Sequence, residues 1–307
     1  VQAGHPVLLM NYLTSAFGFQ RLGDLGNVPS GYTTTTFTPN CSLAAYGRTW
    51  VADITADRQT VYFSDLVDAL NYQTGTSGRL NISEVVGDGD PITAITEHNG
   101  FLIIFCTRHV VVYSGAQDPA NLTISDVISG VGCIARDSVQ KTGTDVIFLS
   151  ETGVRSLMRV IQEKSAPLRD LSKNVRDDLL ADVATETDRT KIKAIYSPLD
   201  AFYLLSLPTV VKTYCFDTRT QLQDGASRVT TWDVAPTAFG ITTTNALYLG
   251  KAGYVGLYTG YIDNATAYSI AYYTNYADYS APTTLKMLKS ADFFLIGGAS
   301  QNVTIKW

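Results

Sequence analysis

Residues 130–180 read GVGCIARDSVQKTGTDVIFLSETGVRSLMRVIQEKSAPLRDLSKNVRDDLL. Within this stretch, the apolar run at residues 145–150 (DVIFLS) meets a polar turn at residues 151–153 (ETG), and a second run at residues 154–157 (VRSL) follows at once. Two short apolar runs joined by a turn that contains glycine predict a β-hairpin. This hairpin is the pattern that the rest of the chain repeats.

A polar helix is predicted to follow the hairpin. Apolar residues recur at helical spacing at Leu168, Leu171, Val175, Leu179 and Val183, which predicts a helix over residues 170–184 that interrupts the repeat. Asp170 or Ser172 is available to cap its first turn. Four charged residues form its outer face, which is either solvated or a subunit contact: Lys173, Arg176, Asp177 and Asp178.

Five units of the hairpin type recur along the chain, with equivalent strands roughly 45 to 55 residues apart, the spacing typical of radially repeated antiparallel sheets. The predicted strands are residues 48–52 and 60–64; 92–96, 100–105 and 109–113; 138–139, 146–149 and 154–157; 193–196, 201–206 and 212–216; and 231–232, 246–249 and 256–258. Residues 74–89 are interpreted as a loop. The prediction is an all-β fold, a β-propeller of five or six antiparallel blades with the inserted helix.

Three regions are expected along the chain. Residues 1–36 are interpreted as an incoming segment from a longer polypeptide, residues 37–260 as the propeller, and residues 261–307 as a last blade or the start of an interface or fibre-docking region. The last region is rich in tyrosine, a residue common at protein interfaces. The candidate interface aromatics are Tyr272, Tyr273, Tyr276 and Tyr279.

The composition of the chain restricts its function. A net charge of −5 and a pI near 5.2 argue against a protein that clamps nucleic acid through its phosphates, because that binding needs concentrated Lys and Arg. No run of 18 or more apolar residues is present, so no membrane-spanning segment is predicted. The four widely spaced cysteines are interpreted as small buried apolar residues, with disulfides as the alternative.

Catalytic motifs are absent from the sequence, including nucleophile elbows, zinc-protease signatures and phosphate loops. The three histidines, His5, His98 and His109, do not have metal-ligand spacing. No catalytic, cofactor-binding or metal-binding residue is therefore predicted. Because paired carboxylates on neighbouring blades can hydrolyse glycosides, a glycan-cleaving or glycan-binding propeller stays as the alternative. Its candidate carboxylates at strand ends are Asp65, Asp137, Glu151 and Asp217.

Several stretches of the chain resemble a known protein family in their amino-acid sequence and in their order along the chain. They are residues 47–52 (GRTWVA), 61–72 (VYFSDLVDALNY), 101–105 (FLIIF), 112–115 (VYSG) and the opening stretch. Together they resemble the tail nozzle proteins of short-tailed bacteriophages, also called tail tubular protein B or packaged-DNA stabilisation protein. The resemblance covers roughly residues 37–260, and its most specific parts are residues 61–72 and 132–180.

The resemblance implies a structural virion protein without enzymatic activity or cofactor. Members of this family form the hexameric nozzle of a podovirus tail, a homo-oligomeric ring that retains genomic DNA and conducts it during ejection. The partners that it implies are the tail adaptor protein, tail fibre or spike proteins, and double-stranded DNA in transient passage. The location that it implies is the tail of the virion, after assembly in the cytoplasm of the bacterial host. A cytosolic propeller scaffold for protein partners is a third hypothesis.

Overall fold

The computed structural model describes residues 8–11, 18–21, 27–33, 35–163, 170–222, 225–259, 271, 283–285 and 287. The chain divides into two compact units, Val1–Gly260 and Tyr261–Trp307. The four candidate interface tyrosines, Tyr272, Tyr273, Tyr276 and Tyr279, lie outside the described residues.

The described residues of the first unit form a two-stranded hairpin and five larger sheets, each an antiparallel meander in chain order. The hairpin consists of β1 (Leu8–Asn11) and β2 (Gly18–Arg21). The strands of the first three larger sheets are β3 (Cys41–Ala45), β4 (Arg48–Ala52), β5 (Thr60–Phe63) and β6 (Gly78–Asn81); β7 (Ile92–His98), β8 (Phe101–Cys106), β9 (His109–Ser114) and β10 (Thr123–Ser129); and β11 (Gln140–Lys141), β12 (Val146–Ser150) and β13 (Gly153–Ser156).

The strands of the remaining two sheets are β14 (Lys193–Ser197), β15 (Phe202–Leu207), β16 (Lys212–Gln221) and β17 (Ser227–Trp232); and β18 (Ala238–Ile241), β19 (Leu247–Lys251) and β20 (Tyr254–Leu257). The α-helices are α1 (Ser83–Val86), α2 (Leu157–Glu163) and α3 (Arg176–Thr185). Short 3-10 helices span Pro119–Asn121, Arg136–Ser138, Lys173–Val175 and Arg189–Lys191.

Strand β8 illustrates why the sheets stack as blades. Successive side chains of a strand point to opposite faces of its sheet. Leu102 and Ile104 pack in the core between the first and second sheets, whereas Ile103 and Phe105 pack in the core between the second and third. A sheet that is buried on both faces needs a neighbouring sheet on each side. The predicted β-propeller is therefore confirmed. Five blades lie within the described residues.

Several strand assignments made from the sequence differ from the structure. Thr231 and Trp232 were predicted to begin the fifth unit, but they pair with Tyr214 and Thr213 and belong to the outer strand of the fourth blade. The loop predicted at residues 74–89 instead contains β6 and α1. Strands β3 and β18, each the first strand of its sheet, were missed, because each is short and alternates exposed with partly buried residues in place of a continuous apolar run.

The inserted helix begins later than predicted. Helix α3 starts at Arg176 and has no side-chain cap, so the caps expected at Asp170 and Ser172 are wrong. The third blade engages both residues instead: the backbone N–H of Val154 donates to Ser172 Oγ at 3.0 Å, and Ser172 Oγ donates to Asp170 Oδ1 at 3.1 Å. The helical spacing itself is confirmed, since Leu179 and Val183 are buried in the core between the third and fourth blades.

All four cysteines are free thiols, and Cys215 differs from the expectation because it is only partly buried. Cys41, Cys106 and Cys133 are buried, and burial raises the pKa of the Cys133 thiol to about 11. At neutral pH these side chains are therefore protonated and act as small packing groups.

Candidate functional site

The first strands of all five blades line one central channel with a volume of about 490 Å³. Each blade contributes residues to its wall, for example Ser42, Ile95, Gln140, Ile195 and Phe239. This convergence follows from the radial arrangement, because the innermost strands of the blades are the ones nearest the axis. The channel is the candidate functional site.

Arg136 crosses this channel. It lies in the 3-10 helix that leads into the third blade, and its Nη1 donates to the backbone carbonyl of Asn40 in the first blade at 2.5 Å. The same guanidinium donates through Nε and Nη2 to the two carboxylate oxygens of Asp137, at 2.7 Å and 3.0 Å. Arg136 thus connects the first and third blades, which are separated by the second blade.

Asp137 is the carboxylate at the centre of this cluster. It accepts hydrogen bonds from Arg136 and from Lys193 Nζ at the start of the fourth blade. Burial by itself would raise the pKa of Asp137, but the hydrogen bonds from Arg136 and Lys193 outweigh it and hold the pKa below its usual range. A carboxylate held ionised in this way cannot serve as a general acid near neutral pH.

The other carboxylates proposed from the sequence lie elsewhere. Asp65 is in the loop between β5 and β6, Glu151 is exposed in the turn between β12 and β13, and Asp217 pairs with Arg219 on β16 at 2.8 Å. None of these three lines the channel. The structure therefore does not bring the four candidates together as the pair that glycoside hydrolysis requires.

The neutral part of the channel wall is suited to a polar ligand. Ser42, Thr96 and Gln140, which have polar side chains, line it together with Phe239. A cavity with one aromatic face and several convergent hydrogen-bonding groups is typical of sites for small polar molecules. The sequence analysis missed this site, because its residues come from short strands without a motif.

A second feature lies in the loop formed by residues 64–77, at the edge of the first blade. Its tip exposes Leu66 and Val67, which we call the apolar tip; their exposed fractions are 53% and 86%. Val67 also has a φ of +60°. A positive φ is a strained conformation for a β-branched residue, and such strain persists only where surrounding structure holds it.

Three groups hold this loop in place. The buried guanidinium of Arg48 donates to the carbonyls of Ser64 and Thr76 at 2.7 Å and 3.1 Å. Asp65 Oδ1 accepts from the backbone N–H of Leu66 and of Thr76, each at 2.8 Å. The N–H of Val67 donates to the carbonyl of Gly47 at 2.8 Å. The apolar tip is thus presented by a loop whose backbone is fixed by hydrogen bonds.

The charged face proposed for the inserted helix is only partly exposed. Lys173, Asp177 and Asp178 are exposed, and their role in a subunit contact stays a prediction. Arg176 Nε lies 3.2 Å from Asp170 Oδ2, and Asp170 is buried. Arg176 therefore also holds α3 to the segment that precedes it, through the buried Asp170.

Two further findings concern the described residues alone. Within the described ranges, no group of three or more His, Cys, Asp or Glu side chains is placed to hold a metal ion. None of the helices in the described part of the chain is long and apolar enough to cross a bilayer.

No protein-family model and no curated protein matches this sequence. Among solved structures, a protein from Lactobacillus plantarum is 14% identical, with 73% of this chain and 71% of that chain covered and a TM-score of 0.39. The AfRom2 CNH domain is 12% identical, with coverages of 80% and 71% and a TM-score of 0.40. The WD40 domain of Neurospora crassa Pan2 is 8% identical, with coverages of 70% and 60% and a TM-score of 0.37. The fold assignment rests on the strand order and shared channel of this chain itself.

Proposed function

We propose that this β-propeller is a structural subunit of a tail nozzle in a short-tailed bacteriophage, where copies of the chain form a ring that retains and conducts DNA. The observation that carries the proposal is the apolar tip. It lies within residues 61–72, one of the two most specific parts of the sequence resemblance. The part of the chain that most resembles the family thus contains an exposed feature that a solitary propeller does not need.

The apolar tip is unfavourable in an isolated chain. Two exposed aliphatic side chains on a hydrogen-bonded loop leave apolar surface in water, and Val67 adds backbone strain. Exposed apolar surface of this kind marks contact sites with other proteins. A fixed loop also loses little conformational entropy when it docks. These properties support a contact between neighbouring copies in a ring.

The channel within one propeller is not the route for DNA under this proposal. Its volume is about 490 Å³, and the bond from Arg136 to Asn40 crosses it. A DNA duplex has a major groove that is itself about 12 Å wide, so it does not fit there. DNA would instead pass through the opening at the centre of the ring. The net charge of −5 suits such a wall, since it offers few phosphate contacts that would stall the strand.

Native mass spectrometry of the purified chain tests the ring. We expect a hexamer for the wild type and a shift to monomers for Val67→Asp and Leu66→Asp, because a buried unpaired carboxylate opposes association. Leu199→Asp is the matched control, since Leu199 is 74% exposed but lies in the turn between β14 and β15. A wild type that is monomeric at all concentrations tested would overturn the ring.

A second candidate function is a glycan-binding propeller that does not hydrolyse its ligand. The observation that favours it is the combination of Phe239 with the side chains of Ser42, Thr96 and Gln140 in the channel wall. Sugars bind through stacking on an aromatic ring and hydrogen bonds to their hydroxyls. The absence of a carboxylate pair among the four candidates supports binding without cleavage.

Calorimetric titration with neutral oligosaccharides tests this candidate. We expect Phe239→Ala to weaken binding at least tenfold. Tyr254→Ala, at an exposed residue of β20, should leave binding unchanged. If the wild type released reducing sugar and Asp137→Asn did not, the result would contradict the non-catalytic role.

A further inference from the structure

The charge in the channel is opposite in sign to that of the whole chain. The chain carries a net charge of −5. The charged side chains that line the channel are Arg136, Lys193 and Asp137, two cations and one carboxylate. These wall residues carry one more positive than negative charge, while Asp53 also interacts electrostatically with Arg136 and Asp188 with Lys193. In a confined cavity such an imbalance attracts a small anion more strongly than it would on an open surface.

Both cations have N–H donors left for a ligand, and the side chain of Lys193 is the more exposed of the two. The guanidinium of Arg136 already bonds through Nε, Nη1 and Nη2 to Asp137 and Asn40. An ammonium group has three donors, and the bond from Lys193 to Asp137 uses one of them. The Lys193 side chain is 28% exposed. Its remaining N–H groups can bind an oxyanion without breaking the existing ion pair.

The rest of the wall defines the size and chemistry of the ligand. Three residues with uncharged polar side chains, Gln140, Ser42 and Thr96, line the same cavity as Lys193. Its volume of about 490 Å³ lies in the range of roughly 300–1,000 Å³ that is typical of small-molecule sites. The cavity can therefore take a molecule about the size of a monosaccharide, with one charged group and several hydroxyls.

We propose that the central channel binds a small organic anion, whose carboxylate or phosphate group is held by Lys193 and whose polar body contacts Gln140, Ser42 and Thr96. Arg136 is a positioning residue that keeps Asp137, and through it Lys193, in place. This inference is independent of the ring, because it concerns the inside of a single propeller. It would also define the sugar class if the second candidate function is correct.

Calorimetric titration of the chain in low salt tests the site with four probes. Acetate and glucuronate carry the carboxylate, and inorganic phosphate and glucose 6-phosphate carry the phosphate. We expect saturable binding of either glucuronate or glucose 6-phosphate. This binding should be at least tenfold tighter than that of the small ion with the same charged group, acetate or inorganic phosphate. The preferred pair identifies the oxyanion.

Lys193→Met is the decisive variant, since Asp137 keeps its two bonds to Arg136 and thermal unfolding checks that the fold is retained. We expect at least a tenfold loss of binding for Lys193→Met, and no change for Lys191→Met at the exposed neighbouring lysine. Gln140→Ala should reduce binding of the sugar-sized probe more than that of the small ion. Absence of binding for all four probes at millimolar concentration, or binding that Lys193→Met leaves unchanged, overturns the site. Native mass spectrometry of the same samples reports on the ring separately.

Discussion

The Nη1 atom of Arg136 lies 2.5 Å from the backbone oxygen of Asn40, and the two residues are 96 positions apart in the chain. The bond joins the third blade to the first across the central channel. It also fixes the guanidinium that holds Asp137. The side chain of Arg136 thus connects two blades and also holds a charged residue of the channel wall in place.

Replacement of Arg136 by alanine tests this link. Arg136→Ala removes three hydrogen bonds that involve a charged group and leaves Asp137 with Lys193 alone. We expect a loss of about 2 kcal/mol in the free energy of unfolding, since a hydrogen bond to a charged group contributes about 1.5–3 kcal/mol. Urea unfolding followed by tryptophan fluorescence measures it. Arg219→Ala, at an exposed pair with Asp217, should unfold like the wild type; equal losses in both variants would contradict the role of Arg136.

The stability of the propeller should depend on pH through Asp137. Its pKa is lowered in the folded state, so its contribution to stability is fully present above the unfolded pKa, which is about 3.9 for Asp. The contribution is lost as the pH falls through the lower folded pKa. We expect the stability difference between the wild type and Asp137→Asn to be constant above about pH 5 and to shrink in more acidic solution. Chemical unfolding of both proteins from pH 7 to pH 3 measures it, and a difference that stays constant over the whole range would show that the carboxylate is not stabilised by its partners.

The strain at Val67 should be measurable. Val67→Gly relieves a left-handed conformation that costs about 1–2 kcal/mol for an L-residue, whereas the greater freedom of glycine in the unfolded chain costs about 0.5–1 kcal/mol. We expect the variant to be more stable as a monomer by about 0.5–1 kcal/mol, and to assemble less well, because the tip loses a contact side chain.

Val255→Gly is the control for this change. Val255 is 72% exposed in β20 and has no positive φ, so glycine there should destabilise the protein. Thermal unfolding of both variants, combined with their native masses, separates strain from assembly. Destabilisation of both by the same amount would contradict the strain.

Gly132 marks a close approach between the second and third blades. A Cβ built on Gly132 would lie 2.3 Å from the carbonyl oxygen of Cys106 and from the backbone of Thr107. We expect Gly132→Ala to destabilise the protein by about 2–3 kcal/mol, since overlap with backbone forces the blades apart. Gly256→Ala is the matched control, because a Cβ there meets nothing within 4 Å. The midpoint of urea unfolding measures both, and an unshifted midpoint for Gly132→Ala would show that the blade contact adapts.

Much of the fold was predictable because its pattern is local. Strands such as β8 and β12 read as continuous apolar runs, since both faces of a middle blade are buried, and the spacing of Leu179 and Val183 identified α3. The boundaries were wrong where tertiary contacts compete with local preference. Asp170 and Ser172 have the chemistry of helix caps, yet the third blade engages both.

The candidate site was less predictable. Asp137 was among the carboxylates chosen from the sequence, but Arg136 and Lys193 were not connected with it. The apolar tip was also missed, because no local pattern marks Leu66 and Val67 as exposed. Their exposure depends on the hydrogen bonds that Arg48 and Asp65 make to residues beyond the strand.

The sequence by itself determined most of the strand segments, their approximate spacing and the presence of an inserted helix. These features follow from side-chain alternation and spacing over a few residues, which the local chain imposes. Only the tertiary structure decided which strand of each blade is innermost, that Arg136 meets Asn40, and that two cations share one carboxylate in the channel. The physical reason is that a channel exists only when the blades close around an axis, and closure brings together residues that no local pattern relates.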